Sequence, residues 1–164
     1  MKLIFLDFDG VMDTAYYCHV LGKEGRPGKD EFGAVFDPNC VRNLKEIIDK
    51  TGAEIVVTSS WKSLMTYNGM LNMWEQRGLP GYVIDVTPSS SECRHRGDEI
   101  DAWLQECKDE CQYVILDDID ESNFNEHQLP RLIVVNPYHG LDMMAAEKAI
   151  ELLQSSDENS VYHG

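Results

Sequence analysis

The sequence predicts an α/β fold in three layers, a parallel sheet with helices on both faces. Short apolar runs alternate with amphipathic stretches along the chain, several of those runs end in carboxylate or hydroxyl residues, and nothing repeats at a solenoid period. Strands buried on both faces read as continuous runs of Val, Ile and Leu rather than as strict alternation. When such runs alternate with helices, the strands pair in parallel through right-handed crossovers.

Five segments fit the strand description: residues 2–8, 54–58, 82–86, 113–116 and 132–135. Between the first two, Asp37 and Pro38 mark a helix start, an N-cap followed by proline at the first helical position. Val41, Leu44, Ile47 and Ile48 then share one face, and Gly52 ends the helix. Ile100, Trp103, Leu104 and Cys107 recur at i, i+3, i+4 and i+7, which predicts a second helix over 97–109 with Cys107 as one of its core residues. Asp142 is placed to cap a third helix through 144–153, and 65–77 reads as a fourth, interrupted at Asn68 and Gly69. Residues 1–154 thus form a single domain, and 155–164 reads as a polar tail. One segment breaks the rhythm. Residues 14–36 carry Gly22, Gly25, Pro27, Gly28 and Gly33 without a sustained period, and are expected to be a mobile flap overhanging the site.

Composition limits the partners. With 29 acidic against 14 basic side chains, the formal charge of -15 repels a polyanion, so an extended nucleic-acid footprint is disfavoured. Contact with one terminal phosphate is not, because a bound divalent cation inverts the field locally. The apolar stretch from Leu3 to Leu6 is cut off by Asp7, too short for a signal-peptide core or a membrane span, so no membrane partner and a cytoplasmic location are expected. Five cysteines cannot all pair, which favours reduced thiols. Cys93, His95, Cys107 and Cys111 have spacings that match no common structural zinc pattern.

The chemistry lies at strand ends, where open parallel sheets bind ligands. The first strand ends in Asp7-Phe8-Asp9-Gly10-Val11, the second in Thr58-Ser59-Ser60, and a later one in Asp117-Asp118-Ile119-Asp120. In extended chain, i and i+2 point to one side, so Asp7 and Asp9 face one site while Phe8 packs the other way, and Gly10 permits a sharp turn. Carboxylates gathered from Asp7, Asp9, Asp117 and Asp118 repel one another unless a cation is bound, and hard oxygen ligands of this kind suit Mg²⁺. Each motif has a bland alternative: a solvated acidic loop, a helix N-cap, an exposed charge run. Those alternatives must all hold together if the three strand ends belong to one sheet.

In order, D-F-D-G-V at 7–11, I-V-V-T-S-S ending at 58–60, the basic residue of R-G-D-E-I at Arg96, and V-I-L-D-D at 114–118 resemble the four motifs of haloacid dehalogenase-like (HAD) phosphatases. The finer pattern S-S-W, R-G-x-E-I-x-x-W-L, L-D-D and G-L-D resembles a small capless branch of HAD domains associated with RNA-repair proteins. The resemblance implies a Rossmann-like, capless fold, with Asp7 as the nucleophile that forms an aspartyl-phosphate and Asp9 as its acid/base partner. It implies Mg²⁺ held by the Asp7 carboxylate, the Asp9 backbone carbonyl and Asp117, with Asp118 or Glu121 assisting. Thr58, helped by Ser59, is then the phosphoryl-oxygen ligand, and Arg96 the balancing cation. The family usually places lysine there, so Arg94 and Lys62 are rivals for the role, and Asp117 and Asp118 for the metal. A phosphorylated substrate follows, with a nucleotide or nucleic-acid end as the preferred class. A small phosphorylated metabolite and a non-catalytic binding module are the alternatives.

Overall fold

The chain runs through β1 (Lys2–Leu6), α1 (Ala15–Lys23), the short pair β2 (Lys29–Asp30) and β3 (Gly33–Ala34), α2 (Pro38–Thr51) and β4 (Glu54–Val57). It continues through a 3₁₀ turn (Ser60–Ser63), α3 (Tyr67–Gln76), β5 (Val83–Val86), α4 (Arg96–Glu106) and β6 (Glu110–Asp117). Two further 3₁₀ turns (Glu121–Asn123 and Glu126–Arg131), β7 (Leu132–Val134), α5 (Met143–Gln154) and β8 (Val161–His163) complete it. A computed structural model describes residues 1–89, 95–155 and the backbone of 161–163. The sheet has the order β5-β4-β1-β6-β7, every neighbouring pair in it parallel. This is the predicted Rossmann-like α/β architecture.

Side-chain parity sorts the two faces. Ile4, Leu6, Ile55, Val57, Val114 and Leu116 pack into one core with residues of α2, α3 and α5. Leu3, Phe5, Val56, Tyr113 and Ile115 pack into the other with Ile100 and Leu104 of α4. Strand residues are buried on both faces, which is why the sequence shows apolar runs. The α2 cap is as predicted: the Asp37 side chain accepts from Asn39 N–H, and Gly52 ends the helix with φ of 72°.

Four elements depart from the sequence reading. Residues 14–36 fold as α1 and a small hairpin instead of an irregular flap. Thr14 Oγ1 accepts from Tyr17 N–H at 3.0 Å to cap α1, whose buried residue is Leu21, so no apolar stripe announces the helix. The hairpin is tied down from outside the segment. Arg77, just after α3, holds Asp30 through two bonds of 2.9 and 2.7 Å and the Gly33 carbonyl at 3.1 Å, and lies 4.8 Å from the centre of the Phe36 ring.

The helix expected over 65–77 is not interrupted at Asn68 and Gly69. Thr66 caps it by accepting from Gly69 N–H at 3.0 Å, so both residues occupy the first turn, where backbone N–H groups lack helical partners anyway. Helix α4 stops at Glu106, and Cys107, its extended C-cap residue, still packs against the core on that face. Its Sγ stands 3.3 Å from Cys111 Sγ, and both thiols are free. The segment expected as a tail contributes β8, antiparallel to Glu110–Gln112 at the start of β6. Short β7 covers only Ile115–Asp117, which leaves that edge of β6 open to pairing. Among the described residues no helix is long and apolar enough to cross a membrane.

Candidate active site

Register brings three strand ends together. Leu6 pairs with Val57 of β4 and Leu116 of β6, so the residues one step further, Asp7, Thr58 and Asp117, form a row across the carboxyl edge of the three central strands. Asp7 N–H donates to the Leu116 carbonyl at 3.1 Å and Thr58 N–H to the Leu6 carbonyl at 2.9 Å, which extends the ladder by one residue. By parity, all three lie on the side of Phe5, Val56 and Ile115, the side that faces α4. Arg96, the first residue of α4, completes the group from above: its Nη1 stands 2.9 Å from Asp117 Oδ2 and 3.3 Å from Asp7 Oδ1.

The loop after β1 turns tightly, with the Phe8 carbonyl accepting from the N–H groups of Val11, Met12 and Asp13. Phe8 is fully buried beside Phe36, Trp61 and Trp74, as expected, while Asp9 emerges into solvent. Gly10 has φ of 80°, and a Cβ there would stand 2.2 Å from Asp118 Oδ2 and 3.0 Å from the Pro137 side chain. Only glycine lets this loop approach Asp118 so closely. Gly97 does the same for α4, since its Cβ would meet Gln128 Oε1 at 2.4 Å and Asn125 N at 2.9 Å. Glycine after Arg96 thus lets the helix start against the 124–128 segment and keeps the guanidinium over the carboxylates.

Electrostatics set the character of the group. Asp7 is 5% exposed and Asp117 wholly buried. Burial, and next the Asp117 carboxylate, push the Asp7 carboxyl up to about 8, with Arg96 pulling the other way. Asp117 is raised too, chiefly by burial, although Arg96 and the N–H groups of Asp118 and Ile119 oppose the rise. Burial works against the charge of Arg96, but Asp117 and Asp7 outweigh it and hold the guanidinium above its ordinary value.

Asp7, Asp117 and Asp118 each offer an oxygen, all within 4.8 Å of one another. Ionising all three carboxyls against one guanidinium would leave two negative charges uncompensated. An all-oxygen donor set with that deficit fits a hard divalent cation such as Mg²⁺. Both candidates at the fourth motif therefore belong to the group, whereas Glu121 is exposed on a 3₁₀ turn outside it. The Asp9 side chain also lies outside it, with Oδ1 accepting from Trp61 Nε1 at 3.0 Å.

Thr58 Oγ1 is buried without a hydrogen-bond partner among the described residues, although a hydroxyl in such a place ordinarily has one. Ser59 is buried as well, and its Oγ accepts from Trp61 N–H at 3.2 Å, so its oxygen serves as the cap of the 3₁₀ turn. Of the rival cations, Lys62 turns elsewhere: its Nζ binds Thr87 Oγ1 at 2.8 Å and pairs closely with Glu99. Arg94 lies outside the described residues.

Two neighbours were not singled out by the sequence. Asp13, three residues after Gly10, has a buried Oδ2 without a partner among the described residues, and burial followed by its contact with Asp9 pushes its carboxyl up to about 8. Its spacing in D-x-D-G-x-x-D was visible, but nothing indicated that the loop folds back on itself. Trp61 is a core residue, 6% exposed, yet its indole nitrogen reaches the site.

No curated protein matches the chain by sequence. Among solved structures, a haloacid dehalogenase-like family hydrolase from Streptococcus pneumoniae superposes with a TM-score of 0.50 at 14% identity, covering 94% of this chain and 91% of that one. At that identity the likeness is one of fold. The model of a HAD domain in Swiss Army Knife RNA repair proteins matches residues 3–146, a span that contains the row Asp7, Thr58 and Asp117 together with Arg96 and Asp118. With nearly the whole domain matched and the four motifs converging on one strand edge, the chain belongs to the HAD domain family of Swiss Army Knife RNA repair proteins.

Proposed function

We propose that this domain is a Mg²⁺-dependent phosphomonoester hydrolase working through an aspartyl-phosphate on Asp7. The observation that carries the reading is the row at the sheet edge: a carboxylate between a partnerless buried hydroxyl, Thr58, and a second carboxylate, Asp117, under the Arg96 guanidinium. A phosphoryl group seated there finds a nucleophile, a hydroxyl donor and a cation.

Asp7 attacks phosphorus in line, so that a bond forms from its carboxylate oxygen as the bond to the leaving oxygen breaks. Asp9, solvent-facing at the mouth, delivers a proton to that leaving oxygen. It then takes a proton from water, whose oxygen bonds to phosphorus while the bond to Asp7 breaks, releasing inorganic phosphate and restoring both carboxyl groups. Thr58 Oγ1 donates to a phosphoryl oxygen, and Arg96 offsets negative charge shared between Asp7 and the phosphate. Mg²⁺, when held by Asp7, Asp117 and Asp118 with the Asp9 carbonyl, supplies the charge stabilisation that phosphoryl transfer depends on.

The preferred substrate is the terminal phosphate of a nucleotide or polynucleotide. The family's association with RNA repair supports it, and the charge of -15 restricts contact to the terminus. The domain carries no large insertion among its described residues, only α1 and the β2–β3 hairpin, which leaves Asp9 open to a bulky substrate.

Purified protein assayed for phosphate release with Mg²⁺ and with EDTA tests the reaction. Release from an aryl phosphate that needs Mg²⁺ and vanishes in Asp7→Asn is expected, followed by preference for 3′- or 5′-phosphorylated oligonucleotides or nucleotides over sugar phosphates. Activity that survives in Asp7→Asn overturns the mechanism. No release from any phosphomonoester leaves the non-catalytic module as the reading, and preference for a sugar phosphate moves the substrate to a small metabolite.

A further inference from the structure

We propose that Trp61 is the positioning residue of Asp9: its indole N–H fixes one carboxylate oxygen and thereby leaves the other as the proton carrier. The inference rests on the phosphomonoesterase reading, in which Asp9 is the acid/base.

Asp9 is exposed and sits on a loop, so without a partner its carboxylate would sample several rotamers among water. General acid/base catalysis needs the opposite, a carboxyl held within hydrogen-bonding reach of the oxygen it protonates. Trp61 Nε1 donates to Asp9 Oδ1 at 3.0 Å. Indole nitrogen is a donor only, so Oδ1 must act as acceptor in that bond and the transferable proton resides on Oδ2. Asp13 is a further side-chain neighbour of Asp9.

The donor itself is firmly held. The Trp61 ring meets Phe8 edge-on at 5.2 Å and Phe36 at 5.8 Å, and the Arg77 guanidinium stands 5.7 Å from its centre. A Cβ on Gly33 would lie 3.2 Å from Trp61 Cη2, so the β2–β3 hairpin closes over the ring's far end. Its backbone N–H is bound by Ser59 Oγ, one residue beyond Thr58. A single side chain thus links the phosphate-binding end of β4, the acid/base loop after β1 and the hairpin. Core packing alone does not need this bond. The comparably buried Trp74 satisfies its N–H on the Pro80 carbonyl.

The test is Trp61→Phe, which keeps an aromatic ring and removes the N–H, assayed as kcat/KM on two substrates. Protonation by Asp9 matters for a poor alkoxide leaving group and hardly for p-nitrophenolate. A positioned acid/base contributes about 10² to 10⁴-fold, so loss of its positioning should lower kcat/KM about 10- to 100-fold on an alkyl phosphate and under about threefold on p-nitrophenyl phosphate. In an Asp9→Ala background the difference between Trp and Phe should vanish. Equal losses on both substrates, or none on the alkyl phosphate, overturn the proposal.

A second measurement does not rely on the Trp61 variant. In the indole N–H region of the proton–nitrogen NMR spectrum, Asp9→Ala should move the Trp61 resonance and leave those of Trp74 and Trp103, bonded to Pro80 and Asp85, in place. An unmoved Trp61 resonance overturns the proposal. Absence of phosphate release by the unmodified protein on both substrates instead overturns the hydrolase reading itself, whatever the spectrum shows.

Discussion

Replacing Asp7 by asparagine is expected to stabilise the metal-free protein while abolishing its chemistry. Asn has nearly the same shape as Asp and carries no charge, and Arg96 keeps its shorter contact of 2.9 Å to Asp117. The folded carboxyl of Asp7 is pushed up to about 8 from an ordinary 3.8, by burial first and then by Asp117. An unfolded chain has lost that proton above about pH 4, whereas the folded protein retains it until about 8. The stability this group contributes is therefore complete below pH 4 and is lost as pH rises toward 8. Across pH 5.5 to 7.5 one proton is taken up on folding, at about 1.4 kcal/mol per pH unit, which comes to about 3 kcal/mol. For a domain of this size that corresponds to roughly 5–10 °C in Tm.

Thermal unfolding of both proteins in EDTA should thus show Asp7→Asn above the unmodified protein at pH 7.5, with a gap that shrinks toward pH 5.5. Adding Mg²⁺ should raise the Tm of the unmodified protein more at pH 7.5 than at pH 5.5, because the cation binds the ionised carboxyl, and should have little effect on Asp7→Asn. If the gap is constant with pH, or the variant is the less stable protein at pH 7.5, the assignment of a buried, cation-seeking carboxylate cluster is wrong.

Two other substitutions separate stability from activity. Thr58→Val removes a buried hydroxyl that has no partner, so Tm should hold or rise slightly while kcat/KM falls about 10- to 100-fold, and a Tm loss above about 1 kcal/mol equivalent would show that the hydroxyl is structurally bonded. Gly97→Ala places a methyl 2.4 Å from Gln128 Oε1 and 2.9 Å from the Asn125 backbone, which cannot yield without moving the turn that supports α4. Denaturant titration should register a cost of about 2–3 kcal/mol, and a change under 0.5 kcal/mol would contradict the close packing of helix and turn.

Much of the fold is legible because parallel strands are buried on both faces. The runs ending at Asp7, Thr58 and Asp117 are marked by composition alone, and the Asp37-Pro38 start and Gly52 stop of α2 follow from local backbone chemistry. Residues 14–36 are opaque for the converse reason. Helix α1 buries only Leu21, and the hairpin is held by Arg77, a residue more than forty positions away. The edge pairing of β8 is hidden likewise, since it depends on how far β7 extends beside β6.

In the site, the three strand ends that meet there are readable locally, because a D-x-D-G turn, a hydroxyl pair and a paired-carboxylate end each follow an apolar run. Tertiary structure alone decided how they meet. Register made Asp7, Thr58 and Asp117 neighbours, the glycine at 97 let α4 settle so that Arg96 spans two carboxylates, and Lys62 was drawn away by Glu99 and Thr87. It also gave Trp61 its second role, since a ring buried by Phe8 and Phe36 happens to aim its one polar atom at Asp9. The physical reason is range: caps, turns and burial patterns act within a few residues, whereas which cation reaches which carboxylate is settled by packing between elements far apart in the chain.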